Sequence, residues 1–257
     1  MESETELTTK VEYKGRSYFI KTDQGIDLSL KNNFDNKNPI FFKAKQSSLN
    51  PVQIGGFKGD IKQGGSCNVG IASIDIHCTG THTECISHVS ESETKIVDVC
   101  PRSFIPSQLI SLKPDHISNT SDSYHAKIAS DLVISKKMLV SKIKDQTSSL
   151  IIRTLPNTSL KKNRNYDLEI APFFTSDAIK YLSKLSVQHL LVDLPSIDKA
   201  DDGGILGNHH EFFKKGKTIS ELLYIPNSVE DSFGFLQIQI PNWNLDAAPS
   251  RPIFYPV

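Results

Sequence analysis

Five of the eight histidines in this sequence lie in two short segments, and a glutamate accompanies each segment. The residues concerned are His77, His82, Glu84 and His88 in the first segment, and His209, His210 and Glu221 in the second. Imidazole nitrogens and carboxylate oxygens are ligands that suit divalent ions such as Zn²⁺ and Mn²⁺. These residue types and spacings leave two interpretations open: a metal site, or histidines that each form only a structural hydrogen bond.

The first segment has the right local geometry for such a site if its backbone is extended. Residues i and i+2 of a strand point to the same face, so His82 and Glu84 are predicted to converge on one side. His88 shares this parity, but a turn at Ile86 and Ser87 leaves its direction open. Gly80 is either a turn residue or a position where the backbone approaches a ligand closely.

The four cysteines, Cys67, Cys78, Cys85 and Cys100, form no C-x-x-C pair, which argues against a zinc ribbon or a thioredoxin-like motif. We interpret them as reduced thiols. One alternative makes Cys78 or Cys85 a nucleophile with His82 as its base, and another builds a structural zinc site from the same three residues. Both are less favoured, because nothing in the sequence supplies a lowered thiol pKa and structural zinc sites usually contain paired cysteines.

Short apolar runs predict the elements that position these residues. Strands are indicated by alternation and β-branched residues, and helices by apolar residues at i, i+3 and i+4 after a capping residue. The predicted strands are 11–13, 17–21, 71–76, 95–100, 109–112, 150–153, 189–193 and 235–240, and the predicted helices begin at Ser135 and at Thr175 or Ser176. The second helix leads into the buried run 190–192, which indicates an α/β layer. The polar stretches 113–129 and 155–169 are predicted to be surface loops.

Length and composition limit the class of protein. A chain of 257 residues without a shift in composition is predicted to form one domain, residues 11–257, behind a flexible tail at residues 1–10. The 29 basic and 29 acidic residues cancel, which argues against nucleic acid or a membrane surface as partner. No apolar run approaches the roughly 18 residues of a membrane span, and the acidic start lacks a signal peptide's apolar core, so we expect a cytoplasmic protein.

The first histidine segment resembles a known signature. It is similar to the H-x-G-T-H-x-D-x-P-x-H motif of the metal-dependent cyclase family, which includes bacterial kynurenine formamidases and isatin hydrolases. The match covers Gly80, Thr81, His82 and His88, with Glu84 in place of the family's aspartate. Further motifs follow in the same order: I-D-L-S at 26–29, the stretch from 171 to V-D-L-P-S-I-D at 192–198, H-x(11)-E at 209–221, and D-A-A-P-S-R at 246–251.

The resemblance implies roles for these residues. His82 and Glu84 would bind the first metal ion, and His209 with Glu221 would bind a second. His88 would act as general acid and base. The family's remaining histidine falls on Cys78 here, with His77 one position earlier. Three alternatives follow: a bulge brings His77 into the site, the Cys78 thiolate replaces the imidazole, or one ligand is missing. Strand parity favours Cys78, but the bulge that Gly80 permits favours His77, which we take as the ligand. The cofactor would be one or two divalent ions, Zn or Mn.

The same resemblance implies a fold and a reaction. The expected fold is α/β, a single domain with a mixed, barrel-like sheet and flanking helices of the swivelling β/β/α type, assembled as a homodimer or a higher homo-oligomer. The expected reaction is hydrolysis of a C–N bond in a small amide or cyclic amide, as in aryl formamides. Glu84 is one methylene longer than aspartate, and Ile86 replaces the family's proline. These departures motivate the alternative of a catalytically silent relative that binds metal or ligand.

Several other residues receive structural interpretations. Asp193 and Asp198 are predicted to orient loops or histidines rather than to bind metal. Asp246 and Arg251 are interpreted as an ion pair or backbone clamp. Phe34, Phe41 and Phe42 are interpreted as core residues, with an aromatic wall for a ligand as the alternative.

Overall fold

The computed structural model describes residues 7–257, and a large mixed sheet dominates it. The strands in chain order are β1 (Thr8–Tyr13), β2 (Arg16–Lys21), β3 (Ile26–Asp27), β4 (Ser48–Pro51), β5 (Gln53–Ile54), β6 (Phe57–Lys58), β7 (Gly70–Ser73), β8 (His82–Glu84), β9 (Ile105–Leu112), β10 (Asp115–His116), β11 (Leu132–Ile134), β12 (Ser149–Thr154), β13 (Phe173–Phe174), β14 (His189–Val192), β15 (Thr218–Glu221), β16 (Phe233–Gln239), β17 (Ala247–Pro249) and β18 (Arg251–Pro256). The α-helices are α1 (Ile96–Val99), α2 (Lys136–Lys142), α3 (Ser176–Lys184) and α4 (Gly207–Phe213).

Nine strands form the main sheet, in the order β17-β8-β15-β14-β12-β9-β16-β18-β3. The four central strands β15, β14, β12 and β9 run parallel, and the strands on both sides of them pair antiparallel. A parallel centre with antiparallel margins makes the sheet mixed, and it curls into a half-barrel. The predicted α/β class with a mixed, barrel-like sheet and flanking helices is confirmed.

The core lies on both faces of this sheet. Residues of even number in β9, β12 and β14, such as Leu190 and Val192, pack with Ile179 and Leu182 of α3 and with Phe212 of α4. Residues of odd number, including Ile151 and Leu191, pack on the other face with Ile96 of α1. Because successive side chains of a strand alternate, a strand buried on both faces reads as a continuous apolar run.

The predicted helix starts are confirmed. Ser135 precedes α2 and Thr175 precedes α3, and the Thr175 side chain accepts a hydrogen bond from the Ala178 backbone N–H. A side-chain oxygen at this position satisfies a donor that the first turn of a helix leaves free. Within residues 7–257, no helix is long and apolar enough to cross a membrane.

The predicted strands are largely confirmed, with two corrections. Segment 95–100 forms helix α1 rather than a strand, because one turn of helix buries Ile96 completely while its backbone N–H bonds to the Leu245 carbonyl. The propensity of β-branched residues is a weak preference that such tertiary contacts override. The tail prediction is wrong for Thr8–Lys10, which pair with β2; residues 1–6 lie outside the described residues.

The two polar stretches predicted as surface loops hold more structure than expected. Residues 113–129 include strand β10, and residues 155–169 include a 3-10 helix, Ser159–Asn163. Lys161 and Tyr166 in the second stretch are buried. Lys161 Nζ lies 2.7 Å from Asp193 Oδ2, and Asp193 also accepts from the Thr154 backbone N–H. Asp193 therefore orients a loop, as predicted.

Candidate metal centre

Strands β8 and β15 place three of the predicted residues on one face of the sheet. His82 and Glu84 are two residues apart on β8, and the register sets Glu221 of β15 directly opposite His82. His82 Nε2 lies 3.7 Å from Glu221 Oε2 and 4.0 Å from Glu84 Oε2. The predicted convergence of His82 and Glu84 is confirmed, since alternation puts i and i+2 on the same side.

Helix α4 brings the fourth residue over this face. His209 Nε2 lies 3.0 Å from Glu84 Oε1 and 3.4 Å from Glu221 Oε1. The four side chains of His82, Glu84, His209 and Glu221 are between 0% and 5% exposed, and we call them the floor of the site. Two segments far apart in the chain thus form one buried group of two imidazoles and two carboxylates.

Hydrogen bonds fix the direction of the two floor imidazoles. His82 Nδ1 donates to the Gly80 carbonyl at 3.1 Å, which leaves Nε2 facing the carboxylates. His209 Nδ1 donates to Asp198 Oδ2 at 2.8 Å, with the same consequence for its Nε2. Asp198 therefore orients a histidine, as predicted. The backbone at Gly80 approaches the Asn32 side chain closely, rather than a ligand. A Cβ atom at this position would lie 2.4 Å from Asn32 Oδ1.

Two leucines beside the floor adopt left-handed backbone conformations. Leu206, the residue before α4, has φ of 46°, and Leu222, the residue after Glu221, has φ of 54°. Side chains other than glycine rarely adopt such angles, and surrounding contacts must hold them there. The Leu206 N–H donates to Asp202 Oδ2 and the Leu222 N–H donates to the Leu194 carbonyl. Local backbone strain therefore borders both His209 and Glu221.

Three further groups lie above the floor, and we call them the rim: His77, His88 and Asp246. Their side chains are 25% to 32% exposed. Asp246 Oδ2 lies 3.4 Å from His77 Nε2 and 3.5 Å from His88 Nδ1, and His88 Nε2 lies 3.5 Å from Glu84 Oε2. The two rim imidazoles stack with ring centroids 4.4 Å apart.

The contacts of Asp246 differ from the ion pair or backbone clamp that the sequence predicted. Asp246 does not pair with Arg251, whose Nε instead lies 2.7 Å from Asp27 Oδ2. It reaches the rim because the strand that follows it, β17, pairs with β8, which sets Ala247 opposite Glu84. This register depends on a contact between residues more than 160 positions apart, and no local pattern around Asp246 indicates it.

The structure also distinguishes between His77 and Cys78 as the candidate ligand. His77 Nε2 lies 3.8 Å from Glu84 Oε2, whereas burial and the nearby Asp75 raise the pKa of the Cys78 thiol to about 12. The Cys85 thiol donates to the backbone carbonyl of Asp246, and burial raises its pKa as well. Among the described residues, no cysteine sulfur belongs to a cluster of side chains that could hold a metal ion. The nucleophile and zinc-cysteine alternatives find no support in this geometry.

Burial and mutual charge set the protonation of the floor. Burial raises the pKa of both carboxyl groups, but at Glu84 the imidazoles of His209, His88 and His82 outweigh it and lower the pKa to about 2. At Glu221 burial prevails, and the pKa rises to about 7. Burial lowers the pKa of His82 to about 4, whereas the carboxylates around His209 overcome its burial and hold its pKa well above 6.5. The floor is thus an environment that favours a positive charge.

Two buried nitrogens test whether these residues suit a divalent cation. His77 Nε2 and His82 Nε2 are shielded from water, yet neither finds a hydrogen-bond partner among residues 7–257. Buried polar atoms without partners are costly, so those that persist require an explanation. Both nitrogens face the Glu84 carboxylate, and a histidine and carboxylate donor set matches Zn²⁺ or Mn²⁺. The residues fit a cation between them.

The predicted aromatic residues do not form a core. Phe34 is 42% exposed and Phe42 is 71% exposed, while Phe41 packs against Leu30 and Tyr166. Core packing is therefore wrong for Phe34 and Phe42. Their exposure follows from loop 31–47, which contains only a single isolated bridge to Asn165 and offers little apolar surface to cover them.

The chain is similar in sequence to known proteins over most of its length. Residues 26–199 match the model of the Cyclase family. A kynurenine formamidase from Bacillus cereus (strain ATCC 14579) is 25% identical over 244 residues, which cover 93% of this chain and 100% of that protein. A kynurenine formamidase from Bacillus thuringiensis (strain Al Hakam) is 26% identical over the same length.

Solved structures show the same fold. Isatin hydrolase A from Labrenzia aggregata superimposes with a TM-score of 0.63 at 14% identity, covering 90% of this chain and 93% of that one. A predicted metal-dependent hydrolase from Bacillus stearothermophilus gives a TM-score of 0.61 at 18% identity, covering 90% and 98%. Since the family model matches more than half of the chain, the protein belongs to the Cyclase family.

Proposed function

We propose that this protein is a metal-dependent hydrolase that cleaves the C–N bond of a small amide or cyclic amide. The observation that carries the proposal is the floor itself: two imidazoles and two carboxylates, almost completely buried, with an imidazole nitrogen that has no hydrogen-bond partner among the described residues. Unpaired charges in a protein interior are strongly destabilising, and buried carboxylates are therefore found paired or bound to metal.

The residues that would hold the cations follow from the distances. His82, Glu84, His209 and Glu221 of the floor supply four donors, and His77 adds a fifth from the rim. Glu84 presents Oε1 to His209 and Oε2 to the other imidazoles, so it would be a shared donor of the site. A divalent cation at such a site supplies Lewis acidity, which polarises a carbonyl group and makes water acidic near neutral pH.

His88 is the group best placed to move a proton. Its side chain is 25% exposed, so it meets both the buried floor and the solvent above it. An imidazole ring can both accept and donate a proton in general acid-base catalysis. As general base His88 would accept the proton of the attacking water, and as general acid it would return that proton to the leaving nitrogen.

Asp246 supports this role from the other side of the ring. Its carboxylate lies 3.5 Å from His88 Nδ1, while Nε2 of the same imidazole faces Glu84. A carboxylate beside one ring nitrogen favours the tautomer with its proton there and stabilises the imidazolium form. In this arrangement Asp246 would orient His88 and stabilise the imidazolium that forms when the water proton is accepted.

The relatives suggest the substrate class. The curated relatives are named kynurenine formamidases, and one structural neighbour is an isatin hydrolase. Both names describe hydrolysis of a C–N bond next to an aromatic ring. We therefore propose an aryl formamide or an aromatic cyclic amide as the substrate of this protein.

The proposal is tested by elemental analysis of protein purified without chelator or affinity metal, beside His82→Ala and Glu221→Ala variants. We expect one or two equivalents of zinc or manganese in the wild type, loss of metal in both variants while they stay folded, and hydrolysis of aryl formamides by the wild type only. A wild type that is free of metal and cannot be reloaded would contradict the proposal and would favour a catalytically silent relative.

A further inference from the structure

One short loop holds two floor residues in place. In residues 196–199, which we call the anchoring loop, the Ile197 N–H donates to Glu221 Oε1 at 2.8 Å. The next residue, Asp198, accepts from His209 Nδ1 at 2.8 Å and from the His209 backbone N–H at 3.0 Å. Because consecutive residues make these contacts, any displacement of the anchoring loop moves Glu221 and His209 together.

Tyr124 fixes the anchoring loop from outside the floor. Its hydroxyl donates to Asp198 Oδ1 at 2.9 Å and accepts from the Lys199 backbone N–H at 2.8 Å. Since the Lys199 N–H occupies the acceptor side, the hydroxyl proton points to Asp198. The Tyr124 ring packs against Phe173, with centroids 4.7 Å apart, so the hydroxyl is presented by a rigid support.

The groups around Tyr124 form a hydrogen-bonded clamp rather than a second metal site. His125 Nε2 lies 3.1 Å from Asp202 Oδ2 and 3.7 Å from Asp198 Oδ1. The Asp202 carboxylate already accepts from the backbone N–H groups of Gly204, Ile205 and Leu206. Carboxylates saturated by the backbone have little capacity left for a cation, and their hydrogen bonds instead hold the turn before α4.

We propose that Tyr124 is a positioning residue of the metal centre, acting through Asp198 on His209 and through Lys199 on the whole anchoring loop. The inference rests on the proposed function, because it concerns ligands of the same cation. Hydrogen-bond partners of metal ligands fix the ring orientation and the tautomer, and their loss typically lowers metal affinity by about 10- to 100-fold. Tyr124 is one hydrogen bond further from the cation than Asp198. We therefore expect its loss to lower the metal affinity by an amount near the lower end of this range.

The test uses Tyr124→Phe, which keeps the ring packing and removes only the hydroxyl. Metal-free protein is titrated with Co²⁺, and both the affinity and the visible absorption spectrum at saturation are recorded. We expect the affinity to fall roughly tenfold and the spectrum to change, since the ligand geometry at His209 relaxes. Tyr255→Phe removes the hydroxyl of a buried tyrosine on β18, towards the other end of the sheet, and Ser107→Ala removes a buried hydroxyl hydrogen bond; both should match the wild type.

The outcomes separate this inference from the proposed function. A wild type that binds no Co²⁺ overturns both. A wild type that binds Co²⁺ while Tyr124→Phe shows the same affinity and spectrum overturns the positioning role alone. Equal losses in Tyr124→Phe and in the two controls also overturn it, because they would report general destabilisation.

A measurement on the wild type covers the case in which Tyr124→Phe does not fold. Coupling between two sites is reciprocal, so if the clamp strengthens metal binding, metal binding must strengthen the clamp. We expect the Lys199 amide to exchange with solvent more slowly in zinc-loaded than in metal-free protein. The Ile253 amide, on the far side of the sheet, should be unaffected. Equal exchange at Lys199 in both forms overturns the inference.

Discussion

The floor and the rim of the site contain the same kinds of side chain in different surroundings. The floor residues are at most 5% exposed, whereas the rim residues are 25% to 32% exposed. In the floor, the surrounding imidazoles outweigh burial at Glu84 and lower its pKa to about 2, whereas burial prevails at Glu221 and raises its pKa to about 7. Burial makes charges interact strongly and suits them to hold a cation, while contact with water lets a group exchange protons during turnover.

The strongest test of this comparison removes a floor carboxylate. Glu84→Ala should abolish metal binding and lower kcat/KM by roughly 10⁴-fold, because it takes away the group that contacts every imidazole of the site. Metal content and formamide hydrolysis are the measurements. Glu211→Ala, on the same helix as His209 but paired with Lys214, serves as the control and should retain both. A Glu84→Ala protein with full metal content would contradict the role of the floor.

A rim imidazole should behave differently. His88→Gln is expected to keep the wild-type metal content while kcat falls by about 10²- to 10⁴-fold, the usual contribution of general acid-base catalysis. Metal analysis and kinetics on the same preparation test this. Loss of metal from His88→Gln would indicate that His88 is a ligand and would contradict the proposed distinction between rim and floor.

Asp246 should have a smaller effect than His88. Asp246→Asn retains an oxygen beside His88 Nδ1 but removes the charge that stabilises its protonated form, so kcat should fall roughly tenfold with metal content unchanged. Kinetics with metal analysis again provide the measurement. An unchanged kcat would show that Asp246 plays no part in orienting His88.

The smallest effect concerns a buried histidine away from the carboxylates. His189 contacts Thr218 at 2.7 Å, and burial lowers its pKa to about 4. Its folded pKa is depressed relative to the unfolded value of about 6.5, so its contribution to stability is present above pH 6.5 and declines as the pH falls towards 4. One such group changes the free energy of unfolding by at most about 1.4 kcal/mol per pH unit.

Denaturant unfolding of wild type and His189→Gln between pH 7 and pH 4 measures this contribution. As the pH falls, the free energy of unfolding should decrease more steeply for the wild type than for the variant. The difference in slope corresponds to at most one proton taken up on unfolding. Equal slopes would show that burial alone does not keep this imidazole neutral. The result sharpens the comparison, because the buried His209 differs from His189 chiefly in having carboxylates around it.

Much of the fold and part of the site could be predicted from local patterns. The caps at Ser135 and Thr175, the hairpin around Lys14 and the buried strands 149–154 and 189–192 follow from periodicity and from turn and capping residues. Segment 95–100 could not be assigned in this way, because its β-branched residues favour a strand while the tertiary environment buries a single helical turn.

The sequence by itself determined which groups are available and which neighbours share a face. The spacing of His82 and Glu84 on one strand is a property of the extended backbone, and it holds whatever the rest of the chain does. Only the tertiary structure decided which distant groups meet them. The register of β15 places Glu221 opposite His82, and the register of β17 carries Asp246 to the rim. The contact of Tyr124 with Asp198 of the anchoring loop orients the His209 imidazole, which donates to the same carboxylate. These contacts depend on long-range pairing and burial, which no short stretch of sequence encodes.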